Sequence, residues 1–191
     1  MTTEHEVIDN FLQPKDFEKI QNLFMPKYED EGATNIAIEG DGIKSTITTE
    51  FPFIPWTYNV VIARADEPKN WKTFYMSHLV YFDTLGIVSP FYPFFHSILD
   101  LLDVKALRRI KCNLFPYTEI VQEHSLHADA DFSHKTALFS INTCDGYTTL
   151  ENGTRVGAVA NRMLKFDGSS MHKSSTTSDQ TVRINVNFNY F

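Results

Sequence analysis

Cysteine is scarce in this chain. Cys112 and Cys144 are the two in 191 residues, and no CxxC spacing joins them. That excludes a disulfide framework and a thiolate metal site, and points to a reducing, intracellular setting. Basic residues are also short, 17 Lys and Arg against 24 Asp and Glu for a net charge of −7, and they are scattered. A phosphate-backbone partner needs a basic stripe, so no nucleic acid is expected. No run approaches the roughly 18 uninterrupted apolar residues of a membrane span, and the opening MTTEHEVIDNF lacks the basic and apolar regions of an export signal. The expectation is a cytoplasmic protein with no membrane contact. Glycine and proline number eight each and never gather into a linker, and there is no repeat or low-complexity run. One domain over residues 1–191 follows, long enough to bury a core without staples. The sequon at Asn152-Gly153-Thr154 then reads as a tight Asn-Gly turn between strands.

Apolar and aromatic residues are plentiful: 42% of the chain is hydrophobic, with 16 Phe. Most of these belong in a core, with Trp56, Trp71, Tyr75 and Tyr92 left as candidates to roof a site. Residues 1–106 read as helices and sheet extensions. PKDFEKIQNLFM places Pro14 at a first helical position and Phe17, Ile20, Leu23 and Phe24 on one face. Residues 26–42 are polar and turn-rich, and IKSTITTEF and WTYNVVIA, separated by Pro52 and Pro55, look like sheet extensions. SPFYPFFHSILDLLD reads as a second packed helix with Phe94, Ile98, Leu101 and Leu102 inward. From 107 to 191 the texture changes to eight short strands: RRIKCNLFPYT, EIVQEHSLHADA, KTALFSIN, YTTLEN, TRVGAVA, RMLKFDG, a stretch around Met171, and TVRINVNFNYF. The fold class is therefore mainly β with flanking helices, its core a sandwich or barrel.

HSLHADAD, residues 124–131, holds the chemistry-bearing cluster. On a strand, residues i and i+2 share a face, so His127 and Asp129 project together and form a two-ligand arm. With His172 far downstream they make the sequence form of the two-histidine, one-carboxylate facial triad. That triad suits Fe(II) and leaves open positions for a bidentate ligand and dioxygen. A zinc hydrolase could use the same donors with one water position and a separate base, and the donors alone do not decide. His124 has the wrong parity and Asp131 sits past the strand end, so neither is read as a ligand. His5, His78, His96 and His134 are read as structural or solvated. TVRINVNFNYF alternates cleanly, with Val182, Ile184, Val186, Phe188 and Tyr190 on one face and Arg183, Asn185, Asn187 and Asn189 on the other. An arginine pointing into a barrel needs an anion, because an unpaired buried charge is costly. A solvent-facing edge strand is the bland alternative for Arg183.

His127-x-Asp129, then His172, then Arg183 in a C-terminal strand resembles the iron- and 2-oxoglutarate-dependent oxygenases, most of all the prolyl-4-hydroxylase-like branch with its small phage and bacterial members. The likeness covers Arg108 to the end. It implies a double-stranded β-helix core (jelly-roll or cupin-like) over 107–191, with His127 and Asp129 on the second strand, His172 on the seventh and Arg183 on the eighth. It also implies Fe(II) held by His127, Asp129 and His172, with 2-oxoglutarate as co-substrate and its far carboxylate on Arg183. Dioxygen would be reduced, succinate and CO₂ released, and a peptidyl (prolyl-type) or small-molecule substrate hydroxylated. Ser140 stands where several relatives carry a tyrosine for the co-substrate, so Asn113, Tyr117 and Asn185 are the expected substitutes. DGYTTLENG replaces the family's Gly-Gly-Glu-type segment, and substrate contacts carried there do not transfer. The reading from another class is a non-catalytic cupin-like metal- or ligand-binding module.

Overall fold

The computed structural model describes residues 5–25, 34–40, 43–49, 54–61 and 74–191, with 34–40 and 43–49 described by backbone alone. In chain order the elements are β1 (Glu6–Ile8), α1 (Pro14–Phe24), β2 (Thr34–Gly40), β3 (Ile43–Thr49), β4 (Thr57–Asn59), β5 (Tyr75–Phe82) and β6 (Gly86–Ile87). A 3₁₀ turn (Tyr92–Phe95) leads into α2 (His96–Leu101). Then come β7 (Leu107–Pro116), β8 (Lys135–Ser140), β9 (Tyr147–Leu150), β10 (Arg155–Gly157), β11 (Arg162–Asp167), β12 (His172–Lys173) and β13 (Val182–Tyr190).

The strands form a large sheet in the order β1-β11-β8-β13-β7-β5-β4 and a small one in the order β10-β9-β12. Between them packs an apolar cluster of Leu150, Leu164 and Phe166 with Leu138 and Val156. The helices cover the other face of the large sheet, where Ile184, Val186, Phe188 and Tyr190 join Phe95, Ile98, Ile110, Phe139 and Ile20 in the main core. Phe17 of α1 meets Phe139 edge-on at 6.0 Å, and Phe95 meets Phe188 at 5.8 Å. β13 is central, hydrogen-bonded to β7 on one side and β8 on the other, so its polar residues point into the barrel. The edge-strand alternative for Arg183 is thereby excluded.

The N-terminal reading needs correction in three places. Pro14 does open α1, and Ile20, Leu23 and Phe24 are buried. Residues 34–40, however, form β2 rather than a turn-rich stretch, and with β3 they make a separate two-stranded sheet rather than an extension. Of WTYNVVIA, β4 covers only Thr57–Asn59 and joins the large sheet beside β5. The second helix begins as a 3₁₀ turn, and the short α2 after it presents the line of Ile98 and Leu102 to the core. Ile98 and Leu102 are buried, but Leu101 is 60% exposed. Trp71 and Pro52 lie outside the described residues. The expected Asn-Gly turn is present, with Gly153 at φ 83° and the Thr154 N–H donating to the Asn152 side chain.

The segment read as a continuous strand over 119–130 touches its neighbours only at intervals, through bridges Glu123–Ser175 and His127–His172. Those fastenings suffice to fix the site.

A candidate metal centre at the barrel mouth

His127 and His172 exchange both backbone hydrogen bonds, 3.0 and 2.8 Å, which places their rings side by side at 4.4 Å between centroids. Two residues on, the Asp129 N–H donates to the Gly168 carbonyl at 2.9 Å. One donor atom from each of His127, Asp129 and His172 lies within 4.8 Å of the others. That spacing makes the three a group able to hold one metal ion.

Each histidine has its tautomer set by its own backbone. Nδ1 of His127 donates to the Ser125 carbonyl at 3.2 Å and Nδ1 of His172 to the Ser170 carbonyl at 3.1 Å. A carbonyl can only accept, so Nδ1 carries the proton and Nε2 keeps its lone pair for a metal. Burial, then the neighbouring His172, holds His127 down to about 4, so its imidazole is neutral at physiological pH.

Asp129 sits in a cage of donors. Oδ1 receives Arg109 Nη2 at 2.9 Å, and Oδ2 receives Thr136 Oγ1 at 3.1 Å, Asn187 Nδ2 at 3.1 Å and Asn189 Nδ2 at 2.9 Å. Burial alone would raise this carboxyl. The Arg109 guanidinium and the amide donors instead hold it far below the usual carboxylate range. It is an oriented anion, as a metal-binding carboxylate must be.

A narrow cavity of about 40 Å³ opens beside the triad, lined also by Lys111, Asn113, Asn185, Asn187, Thr148 and Ser174. At about 30 Å³ per water, that is room for about one. A larger open groove of about 1000 Å³ passes His134, Lys165 and Tyr190, but none of the three donors lines it. All three donors line the smaller one.

Arg183 is 1% exposed. Nη1 donates to the Ser175 carbonyl and Nη2 to Thr148 Oγ1, each at 2.9 Å, while the buried Nε has no partner. No carboxylate of the described residues pairs with it. The side chain passes so close to Gly146 that a Cβ there would meet Arg183 Cδ at 2.7 Å and the Thr176 carbonyl at 2.6 Å. Glycine at 146 is thus a requirement of the arginine's path. Gly146 and Thr148 both belong to DGYTTLENG, so this segment serves Arg183.

Asn113 and Asn185 face each other in register and are joined by an amide hydrogen bond of 3.0 Å, both lining the cavity. Tyr117 does not join them. β7 ends at Pro116, the chain bends to bridge Thr177, and Tyr117 is 52% exposed. Ser140 is buried in register with Asn185 but does not line the cavity. Tyr75 lines it and stacks on Phe115, whereas Trp56 and Tyr92 pack against the core.

Sequence reasoning missed Arg109 and Lys111. The parity that selects Asn113 selects both, because Ile110, Cys112 and Leu114 occupy the opposite face.

His124 is buried, its Nδ1 bonded to Ser174 Oγ at 2.7 Å and its ring 5.1 Å from Phe115, and Asp131 is exposed beyond the triad. Replacing either by alanine should leave metal occupancy intact and weaken affinity at most about tenfold. Metal analysis after gel filtration checks this, and an empty His124→Ala protein would mean that the donor set is misassigned.

No family model matches this chain, and no curated protein does. Solved structures do. An oxidoreductase of the 2OG-Fe(II) oxygenase family from Burkholderia pseudomallei superposes at TM-score 0.58 with 10% identity, covering 97% of this chain and 84% of its own. A prolyl hydroxylase from Trichoplax adhaerens, solved with a hypoxia inducible factor peptide, gives 0.57 with 15% identity, covering 100% and 84%. SnoN, a non-heme alpha ketoglutarate dependent epimerase from nogalamycin biosynthesis, gives 0.57 with 12% identity, covering 99% and 78%. The chain has the double-stranded β-helix fold of the 2OG-Fe(II) oxygenases.

Proposed function

We propose that the protein is an Fe(II)- and 2-oxoglutarate-dependent dioxygenase that hydroxylates its substrate. One observation carries the reading: a fully buried arginine, with no acidic partner among the described residues and a free Nε, stands in the same barrel as a His-Asp-His cluster. Arg183 lies four residues along β13 from Asn187, which bonds Asp129, a separation of about 13 Å between their backbones at ~3.3 Å per residue. A dicarboxylate that reaches from the cluster toward that guanidinium supplies the missing anion.

The donor set fits iron. Two neutral imidazoles and one carboxylate occupy one face of an octahedron, and they leave the metal open to co-substrate and dioxygen. Bound there, iron and 2-oxoglutarate supply oxidation by dioxygen with release of succinate and CO₂. The chain's own work is holding and orienting. His127 and His172 present Nε2, Asp129 is locked by Arg109, Asn187 and Asn189, and Arg183 with Thr148 receives the far carboxylate. Asn113 and Asn185 flank the path between. Because the cavity is smaller than such a dicarboxylate, side chains lining it must shift on loading, a change common at ligand sites.

A peptide and a small molecule both stand as substrate classes, since one structural neighbour was solved with a peptide and another belongs to a natural-product route. The test is anaerobic: Fe(II) and 2-oxoglutarate together should give the metal-to-ligand absorption band of a chelate, and neither alone should. Absence of the band would leave a metal- or ligand-binding module instead.

A further inference from the structure

Lys111 is the one cation lining the cavity beside the triad among the described residues, and nothing on the proposed path of the co-substrate uses it. It projects inward from β7, in register with Asn187 of β13 and Leu79 of β5. Its Nζ lies 5.6 Å from the Tyr75 ring, and no carboxylate of the described residues is within salt-bridge distance. Asp129 is near enough to favour the charged amine but forms no salt bridge with it, its own ion pair being with Arg109. Burial and then the nearby Arg109 bring the amine down to about 8, against the pull of Asp129 toward the charged form.

Directly across the strand pair is a second unused group. Asn187 Nδ2 donates to Asp129, and this fixes the amide so that Oδ1 points away. That Oδ1 is buried and has no hydrogen-bond partner. A buried acceptor left without a donor is destabilising, so this oxygen asks for a donor that arrives from outside.

Charge sharpens the case. The Arg109–Asp129 pair is neutral, while a divalent ion, Arg183 and Lys111 together exceed the two negative charges of 2-oxoglutarate. Both co-substrate carboxylates already have holders, one at the metal and one at Arg183. A further anion is wanted beside the triad, with an N–H next to it.

We propose that the prime substrate is a small amino-acid-type molecule whose carboxylate pairs with Lys111 and whose amine donates to Asn187 Oδ1. This rests on the oxygenase reading and narrows it, because an internal peptidyl residue has its carboxylate tied up in an amide bond. A lysine ammonium meets a carboxylate as a point charge, which suits a small ligand approached from one side.

The experiment is calorimetric. The Mn(II)-loaded protein, with and without 2-oxoglutarate, is titrated with the standard L-amino acids, their carboxamides and the matching acids that lack the amine. At least one amino acid should bind, its carboxamide at least about thirtyfold more weakly, and the acid without amine between them. Lys111→Met, and Lys111→Gln as a second variant, should abolish the preference for acid over amide while thermal unfolding and Mn(II) binding stay as in the parent. Both variants should keep 2-oxoglutarate affinity within about threefold. If no amino acid binds, if carboxamides bind as well as acids, or if the Lys111 variants lose 2-oxoglutarate instead, the proposal is overturned. Failure of the oxygenase reading is seen separately, as no 2-oxoglutarate binding to the parent.

Discussion

Arg183→Ala should raise the 2-oxoglutarate requirement at least about thirtyfold while metal stays bound. The guanidinium is enclosed by Phe115, Thr148, Ser175 and Gly146, so a carboxylate that reaches it meets a desolvated charge. Truncating one partner of such a pair is worth on the order of 2–5 kcal/mol. Burial lowers the pKa of this group, but an arginine keeps its proton at neutral pH. Arg183→Lys should fall between parent and alanine, because the charge remains while the planar fork is lost. Anaerobic titration of 2-oxoglutarate against Fe(II)-loaded protein measures the shift. An unchanged midpoint in Arg183→Ala would remove the arginine from co-substrate binding.

The triad variants should show the other large effect. His127→Ala and His172→Ala should each weaken metal binding by more than the about 10–100-fold expected for a residue behind the ligands. They should still fold, since neither histidine belongs to the apolar core under the helices. Asp129→Ala is a harsher change than its place in the triad suggests. It takes the acceptor from Arg109 and Asn187, while Asn189 and Thr136 keep each other, so it should lose metal and also about 1–3 kcal/mol of stability. Equilibrium dialysis with Mn(II), paired with thermal unfolding of the metal-free proteins, separates the two effects. Full occupancy in a His127→Ala, Asp129→Ala double variant would refute the donor set.

Periodicity decided how much of the site was legible in the sequence. The alternation in TVRINVNFNYF is clean because β13 runs through the middle of the large sheet, with helices on one face and the barrel on the other. A pattern of period two is therefore enough to place Arg183 and the asparagines inward. His127 and Asp129 kept the side-by-side placement of i and i+2 although their segment forms bridges rather than a full strand. Other placements depended on chain geometry that periodicity does not carry. Tyr117 has the parity of Asn113 and Phe115, but the strand stops at Pro116 and the ring turns to solvent. Leu101 lies on the flank of α2 away from the line of Ile98 and Leu102, which reaches the core. Arg109 and Lys111 look like solvent-facing charges on a β-strand until the topology shows that β7 lies beside β13 in the barrel wall. Which carboxylate an arginine would meet was equally hidden, since Arg109 and Asp129 are 20 positions apart.

Consumption of 2-oxoglutarate and dioxygen at His127, Asp129 and His172 is measured aerobically, by incubation with Fe(II) and 2-oxoglutarate and quantification of both succinate and CO₂, in parent and His172→Ala. The parent should release equal amounts of the two products even with no prime substrate, and His172→Ala none above background. A parent that releases no succinate, or a His172→Ala protein that releases as much, would contradict the oxygenase reading.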